Sequence, residues 1–304
     1  MIKTKYVIKC ERFLEFKNLF LAVGYQSLFK PLLGILYVLL LSGCDFANTK
    51  LLRQPTFPIW PDLPPGYEET DLKEKSGFNS VTDVAIPTVS FFAPKEGTAN
   101  SHAILICPGG AFSGLSVLKE GTMVADRLAQ KGIAAFVLKY RVKKENNDEH
   151  PKRTEIMNEA RKTASIDVKQ AIKYIRANAE QFGIDAKKIA VIGFSAGSMA
   201  IMSSLQTDEF SEMPDLVASI YGGMQGELIA NRLPPLFLAH ALDDPLVPIQ
   251  RSVDSENVWL TNGADVLFKQ YKTGGHGFGA EKQSTDSDQW FDDFEAWLAS
   301  QDWL

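Results

Sequence analysis

Ile189-Ala190-Val191-Ile192-Gly193-Phe194-Ser195-Ala196-Gly197 is the stretch on which the fold turns. Its first four residues are all apolar, three of them β-branched, which is the short continuous run expected of a strand buried on both faces. Two glycines then bracket a serine, and a helix-length segment, residues 196–205, follows without a break. A strand that turns directly into a helix needs small residues beside the turn so that the backbone can fold tightly. The serine hydroxyl is then left exposed at a helix N-terminus, where the dipole favours a developing anion.

The same alternation extends in both directions. Residues 84–92, 103–107, 133–138, 217–221, 236–239 and 266–271 read as further strands. Between them, residues 122–130 (closed by Gly132), 165–182 (closed by Gly183), 252–261 and 289–298 have helical length and pattern. Strands alternating with helices predict an α/β domain: right-handed crossovers and a mostly parallel central sheet covered on both faces. Chemistry in such sheets sits at the carboxyl ends of the strands.

Three of those ends carry suggestive residues. A serine hydroxyl becomes a nucleophile when a base removes its proton, and a neutral imidazole suits that near neutral pH. Of four histidines, His102 begins a strand, His150 lies in a charged loop, and His240 ends a strand where a buried, hydrogen-bonded role is expected. His276 lies in Thr273-Gly274-Gly275-His276-Gly277-Phe278-Gly279, directly after the last strand, in a loop whose glycines can bring an imidazole to Ser195. The imidazole needs a carboxylate to hold its tautomer. Asp243 and Asp244 both follow the strand at 236–239, and Asp244 is favoured because Pro245 and Pro248 fix its loop. An oxyanion site needs backbone N–H groups, which Pro108-Gly109-Gly110-Ala111-Phe112 can supply after the strand ending at Cys107. Gly110, Ala111 and Ala196 are the expected donors. Phe112 and Tyr140 are candidates for flanking the substrate, and Trp60 and Tyr67 for packing against the domain.

Composition narrows the partners. The 304 residues are 45% hydrophobic and 23% charged with a net charge of −5, ordinary globular values that exclude a disordered chain. No Lys/Arg run offers a phosphate backbone a footprint, so no nucleic-acid partner is expected. Residues 31–41, PLLGILYVLLL, follow a basic stretch and are too short for a typical membrane span. With Leu41-Ser42-Gly43-Cys44 after them, they resemble a bacterial lipoprotein signal. That resemblance implies cleavage after residue 43, acylation of Cys44, and an exported chain tethered to a membrane on its periplasmic or cell-surface side. The expected organisation is a signal over 1–43, a Pro-rich spacer over 44–78 and a catalytic domain over 79–304.

Gly193-Phe194-Ser195-Ala196-Gly197, Asp244-Pro245-Leu246-Val247-Pro248 and the loop at His276, in this order, resemble the α/β-hydrolase superfamily; the loop at Pro108 resembles its HGGG oxyanion motif with proline in place of histidine. Within it, residues 83–94, 107–121, 134–142 and the glycine-rich loop at His276 resemble bacterial acetylxylan esterase-like carbohydrate esterases. The resemblance implies a Ser195–His276–Asp244 triad that deacetylates plant polysaccharide or oligosaccharide through an acyl-enzyme, with no metal or organic cofactor. The same triad would serve a small-ester carboxylesterase or a prolyl-peptidase-like hydrolase, and a tethered binding protein with a relict triad is the non-enzymatic alternative. A glycosidase finds no facing pair of carboxylates, since Asp243 and Asp244 are adjacent.

Overall fold

The apolar runs assemble, among the described residues, into one eight-stranded sheet. The computed structural model describes residues 54–67, 73–144, 152–205, 213–224 and 233–304, all within a single unit, Ala47–Leu304. The signal segment and Cys44 lie outside the described residues. In chain order the strands are β1 (Thr56–Pro58), β2 (Lys75–Ser76), β3 (Val81–Thr82), β4 (Thr88–Phe92), β5 (Ala103–Cys107), β6 (Ala134–Lys139), β7 (Ile189–Phe194), β8 (Leu216–Ile220), β9 (Leu236–Ala241) and β10 (Val266–Tyr271). The sheet order is β1-β4-β6-β5-β7-β8-β9-β10, and β2 with β3 makes a separate two-stranded ribbon. Strand β4 runs against both of its neighbours, while β5 to β10 are parallel. Every residue of β5, β7, β8 and β9 is buried, which is why these strands read as unbroken apolar runs rather than as alternating ones.

Among the described residues, six α-helices cover the sheet: α1 (Met123–Gln130), α2 (Arg153–Ala177), α3 (Ala179–Phe182), α4 (Ala196–Ser204), α5 (Gln250–Thr261) and α6 (Trp290–Ser300). The crossover from β5 to β6 runs one way along the sheet and those from β6 to β7 and β7 to β8 run the other way. Right-handed crossovers therefore place α1 on one face and α2 and α4 on the opposite face. Helix α6 joins α1 through Arg127, which binds Asp292 and Glu295 and stacks 3.9 Å above the Phe291 ring. The reversal around β5 makes the loops after β5 and β7 leave adjacent strands in opposite directions, opening a crevice at the carboxyl ends.

Three expectations need correction. The expected spacer over 44–78 includes a strand of the fold, because Thr56–Pro58 pair antiparallel with Thr88–Ser90 as the outermost strand of the main sheet. The strand expected over 84–92 is confined to Thr88–Phe92, with Pro87 before it and Val84 in an isolated bridge to Val142. The helix expected from Ser165 starts at Arg153 instead; none of residues 153–163 is fully buried, and they carry little apolar signal.

The N-terminal segment is held by a buried ion pair. Arg141, at the end of β6, makes a forked contact with the fully buried Asp167 of α2, with Nη2–Oδ1 at 2.8 Å and Nε–Oδ2 at 3.0 Å. The Trp60 indole N–H donates to the same carboxylate at 3.2 Å, and the guanidinium also donates to Pro65 O. Trp60 is thus a packing residue, while burial pushes the Asp167 carboxyl above its ordinary pKa against the pull of Arg141 and Trp60. Replacing Asp167 with Ala strands a buried guanidinium and should cost about 3 to 5 kcal/mol of unfolding free energy in urea. A loss within experimental error would show that the pair carries no such weight.

Candidate active site

The nucleophile position is built by backbone crowding. Ser195 stands between β7 and α4 at φ +50°, ψ −117°, a conformation that side chains rarely adopt. Its neighbours have no room for a Cβ: one added to Gly193 would lie 2.6 Å from Ser198 N, and one on Gly197 would lie 2.0 Å from Cys107 O. Gly197 is therefore required by the close approach of α4 to the end of β5, and Gly193 by the packing of α4 back against β7.

His276 Nε2 lies 2.8 Å from Ser195 Oγ and His276 Nδ1 lies 2.7 Å from Asp244 Oδ2. Nδ1 faces a carboxylate and so carries the proton, leaving the Nε2 lone pair to accept from the serine hydroxyl. Asp244 Oδ1 accepts the amides of Leu246 at 2.8 Å and Val247 at 3.0 Å. Its Oδ2 receives a second histidine, His240 Nε2, at 3.2 Å. That nitrogen also faces Val247 O at 3.0 Å, so it bears hydrogen, and His240 Nδ1 accepts from Ser252 Oγ at 2.8 Å. The side chain of Asp244 is 1% exposed. Burial would raise its pKa, but the bonds from His240, His276, Val247 and Leu246 outweigh burial and hold it well below the carboxylate range. Asp243 acts on the backbone instead, since its Oδ1 accepts the Gly275 amide at 2.8 Å and so pins the loop that carries His276.

The loop expected to supply oxyanion donors is strained. Gly110 has φ +140°, Ala111 +53° and Phe112 +57°, and Ser113 N and Gly114 N both donate to Gly110 O. Gly110 and Ala111 are exposed. Gly109 sits against the serine, since a Cβ there would meet Ser195 Cβ at 2.9 Å and Phe194 O at 2.7 Å; its own N–H is taken by Glu120 Oε2 at 2.8 Å. The Tyr140 hydroxyl donates to Pro108 O at 2.7 Å. Tyr140 and Phe112 do not flank an open site as expected: both are buried, and Tyr140 props the loop from below.

Two buried residues escape sequence reasoning. Glu120 lies in a wide turn, Leu118–Thr122, where Thr122 N donates five residues back to Val117 O. Its other oxygen, Oε1, accepts the Tyr221 hydroxyl at 2.9 Å. Tyr221, at φ +39°, accepts the Gly279 amide at 3.1 Å, and its ring meets that of His276 edge-on at 5.0 Å. No sequence pattern separates Glu120 from surface carboxylates. Among the described residues, no group of three or more His, Cys, Asp or Glu side chains converges to hold a metal ion.

The chain is similar in sequence and in fold to known proteins. The BD-FAE family model matches residues 89–218. The chain is 26% identical over 236 residues to an acetylxylan esterase from Xylanibacter ruminicola, covering 66% of this chain and 46% of that protein. It is 29% identical over 130 residues to endo-1,4-beta-xylanase B from Butyrivibrio fibrisolvens, covering 42% of this chain and 18% of that protein. The chain thus spans about half or less of the length of these relatives. An acetyl ester-xyloside bifunctional hydrolase from Caldicellulosiruptor lactoaceticus superimposes with a TM-score of 0.63 at 22% identity, over 83% of this chain and 98% of that one. The fold is that of the α/β-hydrolases.

The depressed pKa of Asp244 has a consequence for stability. Between its folded and unfolded values the unfolded chain binds more protons, so stability rises with pH there and is lost as pH falls below about 4. Asp244→Asn should flatten the stability profile in that acid window, read by urea unfolding at a series of acid pH values. An unchanged slope would mean that Asp244 titrates alike in both states.

Proposed function

We propose that this chain is a serine esterase that removes acetyl groups from plant polysaccharide or its oligosaccharides. The observation that carries the reading is the unbroken relay from Asp244 Oδ2 through His276 to Ser195 Oγ, with contacts of 2.7 and 2.8 Å. Ser195 Oγ attacks the acetyl carbon as His276 Nε2 takes its proton, giving a tetrahedral intermediate with an imidazolium beside it. Asp244 holds the Nδ1 proton and stabilises that cation without accepting the proton. The amides of Gly110, Ala111 and Ala196 receive the oxyanion. The imidazolium returns its proton to the departing sugar hydroxyl, leaving an acetyl-serine. Water, deprotonated by His276, then releases acetate and restores the hydroxyl.

The substrate class is supported by the likeness to proteins described as an acetylxylan esterase and an acetyl ester-xyloside hydrolase. Export and anchoring belong to the same reading: the apolar run over 31–41 ending at Cys44 suits an acylated enzyme facing away from the cytosol, where polymeric substrate is met.

Acetate release from acetylated xylan is the test, with Ser195→Ala as control. Release should fall by about four to six orders of magnitude in the mutant. Asp244→Asn should cost about 10⁴ in kcat through the wrong imidazole tautomer. Asp243→Asn should cost far less, since Asp243 accepts from the Gly275 amide rather than from the imidazole. Serine-dependent cleavage of a small aryl acetate without action on xylan would leave the chemistry standing and overturn the substrate. Inactivity on both would overturn the enzyme.

A further inference from the structure

We infer that Glu120 is a positioning residue whose carboxylate locks the oxyanion loop and the histidine loop into one fixed relation, through Gly109 on one oxygen and Tyr221 on the other. The inference rests on the hydrolase reading above. Glu120 is 4% exposed, yet both of its oxygens have donors: Gly109 N–H at 2.8 Å and the Tyr221 O–H at 2.9 Å. A group that only accepts is suited to the ionised form. Gly109 is wedged between Glu120 and Ser195: a Cβ there would meet Glu120 Oε2 and Ser195 Cβ, each at 2.9 Å. Any shift of the carboxylate therefore moves the loop that carries Gly110 and Ala111, the donors proposed for the oxyanion.

The other oxygen reaches the base. Tyr221 passes the contact to Gly279 N, three residues beyond His276, while its ring lies against the imidazole. Lys119, the neighbour of Glu120, closes the same seam from the outside: its ammonium donates to Gly277 O at 2.7 Å, and its carbonyl accepts from Ala280 N at 2.8 Å. One wide turn thus holds both ends of the machinery. Binding of the alcohol portion of a substrate needs none of these contacts, so the turn should act on chemistry rather than on affinity.

The charge lies close to the base. Glu120 interacts electrostatically with His276 as well as with Lys119 and Tyr140, so losing its charge would leave the imidazolium that forms during the reaction less stabilised.

The test compares Glu120→Gln and Tyr221→Phe with wild type, using a small aryl acetate. Glu120→Gln should lower kcat by about tenfold to a hundredfold with KM little changed. Tyr221→Phe removes one donor to the carboxylate and keeps the charge, so kcat should fall by about tenfold, again with KM little changed. If Glu120→Gln does not fold, Tyr221→Phe still decides: wild-type kcat in it overturns the inference. In an active wild-type background, a Glu120→Gln enzyme with unchanged kcat also overturns it. A wild-type protein that cleaves no ester overturns instead the reading on which the inference rests.

Discussion

The rest of the site depends on how closely the backbones leaving β5 and β7 approach each other. Gly197 lies against the carbonyls of Cys107 and Pro108, and Gly109 lies against Phe194 O and Ser195. No side chain fits between these segments, so the nucleophile and the oxyanion loop are spaced by main-chain contact alone. Main-chain spacing is stiff in a way that side-chain packing is not, because it has no rotamers to relax through. The fully buried strands β5 and β7 sustain the spacing, since they run parallel side by side from Ala103 against Ile189 to Cys107 against Gly193.

Around that fixed pair, two buried carboxylates are treated in opposite ways. Asp244 receives two imidazoles and two amides, which outweigh its burial and keep it ionised. Glu120 receives one amide and one phenol, and burial pushes its pKa above the ordinary value despite them and despite Lys119 and His276. The contrast comes from donor count together with depth, since Asp244 has four donors while Glu120 has two and is the more deeply buried. An acid that must stabilise an imidazolium benefits from many donors that never leave. The second histidine on Asp244 belongs to that arrangement: His240 offers a proton to the carboxylate but, being tied to Ser252 and Val247, cannot swing towards the serine.

How much of this is legible in the sequence follows from where information is stored along a chain. Strands β5 to β9 are buried on both faces and so announce themselves as apolar runs, and the serine turn is marked by two glycines that sterics demand. The acid and the base follow strands directly, so order along the chain is enough to name them. Strand β1 leaves no such trace, because its three residues, Thr56–Pro58, are too few to show a period. The early turns of α2 are polar helix on the surface, and apolar spacing does not register them. Tyr140 and Phe112 mislead because aromatic residues beside a reactive loop look the same whether they face solvent or prop the backbone. Glu120 and Tyr221 are invisible to pattern because they meet only in space, 101 residues apart.

The short strand β1 also determines where the folded unit can be cut. It covers the outer edge of β4, with Phe91 N donating to Pro55 O, and Phe57 sets its ring edge-on against Phe182 at 5.4 Å. A polypeptide trimmed back to residue 79 would leave β4 as an open edge of unpaired N–H and C=O groups beside uncovered aromatic surface, a template for strand addition by another copy. The proline-flanked strand thus acts as a hem for the sheet, and self-association on its removal would leave the catalytic residues, at the far side of β6 and β5, untouched.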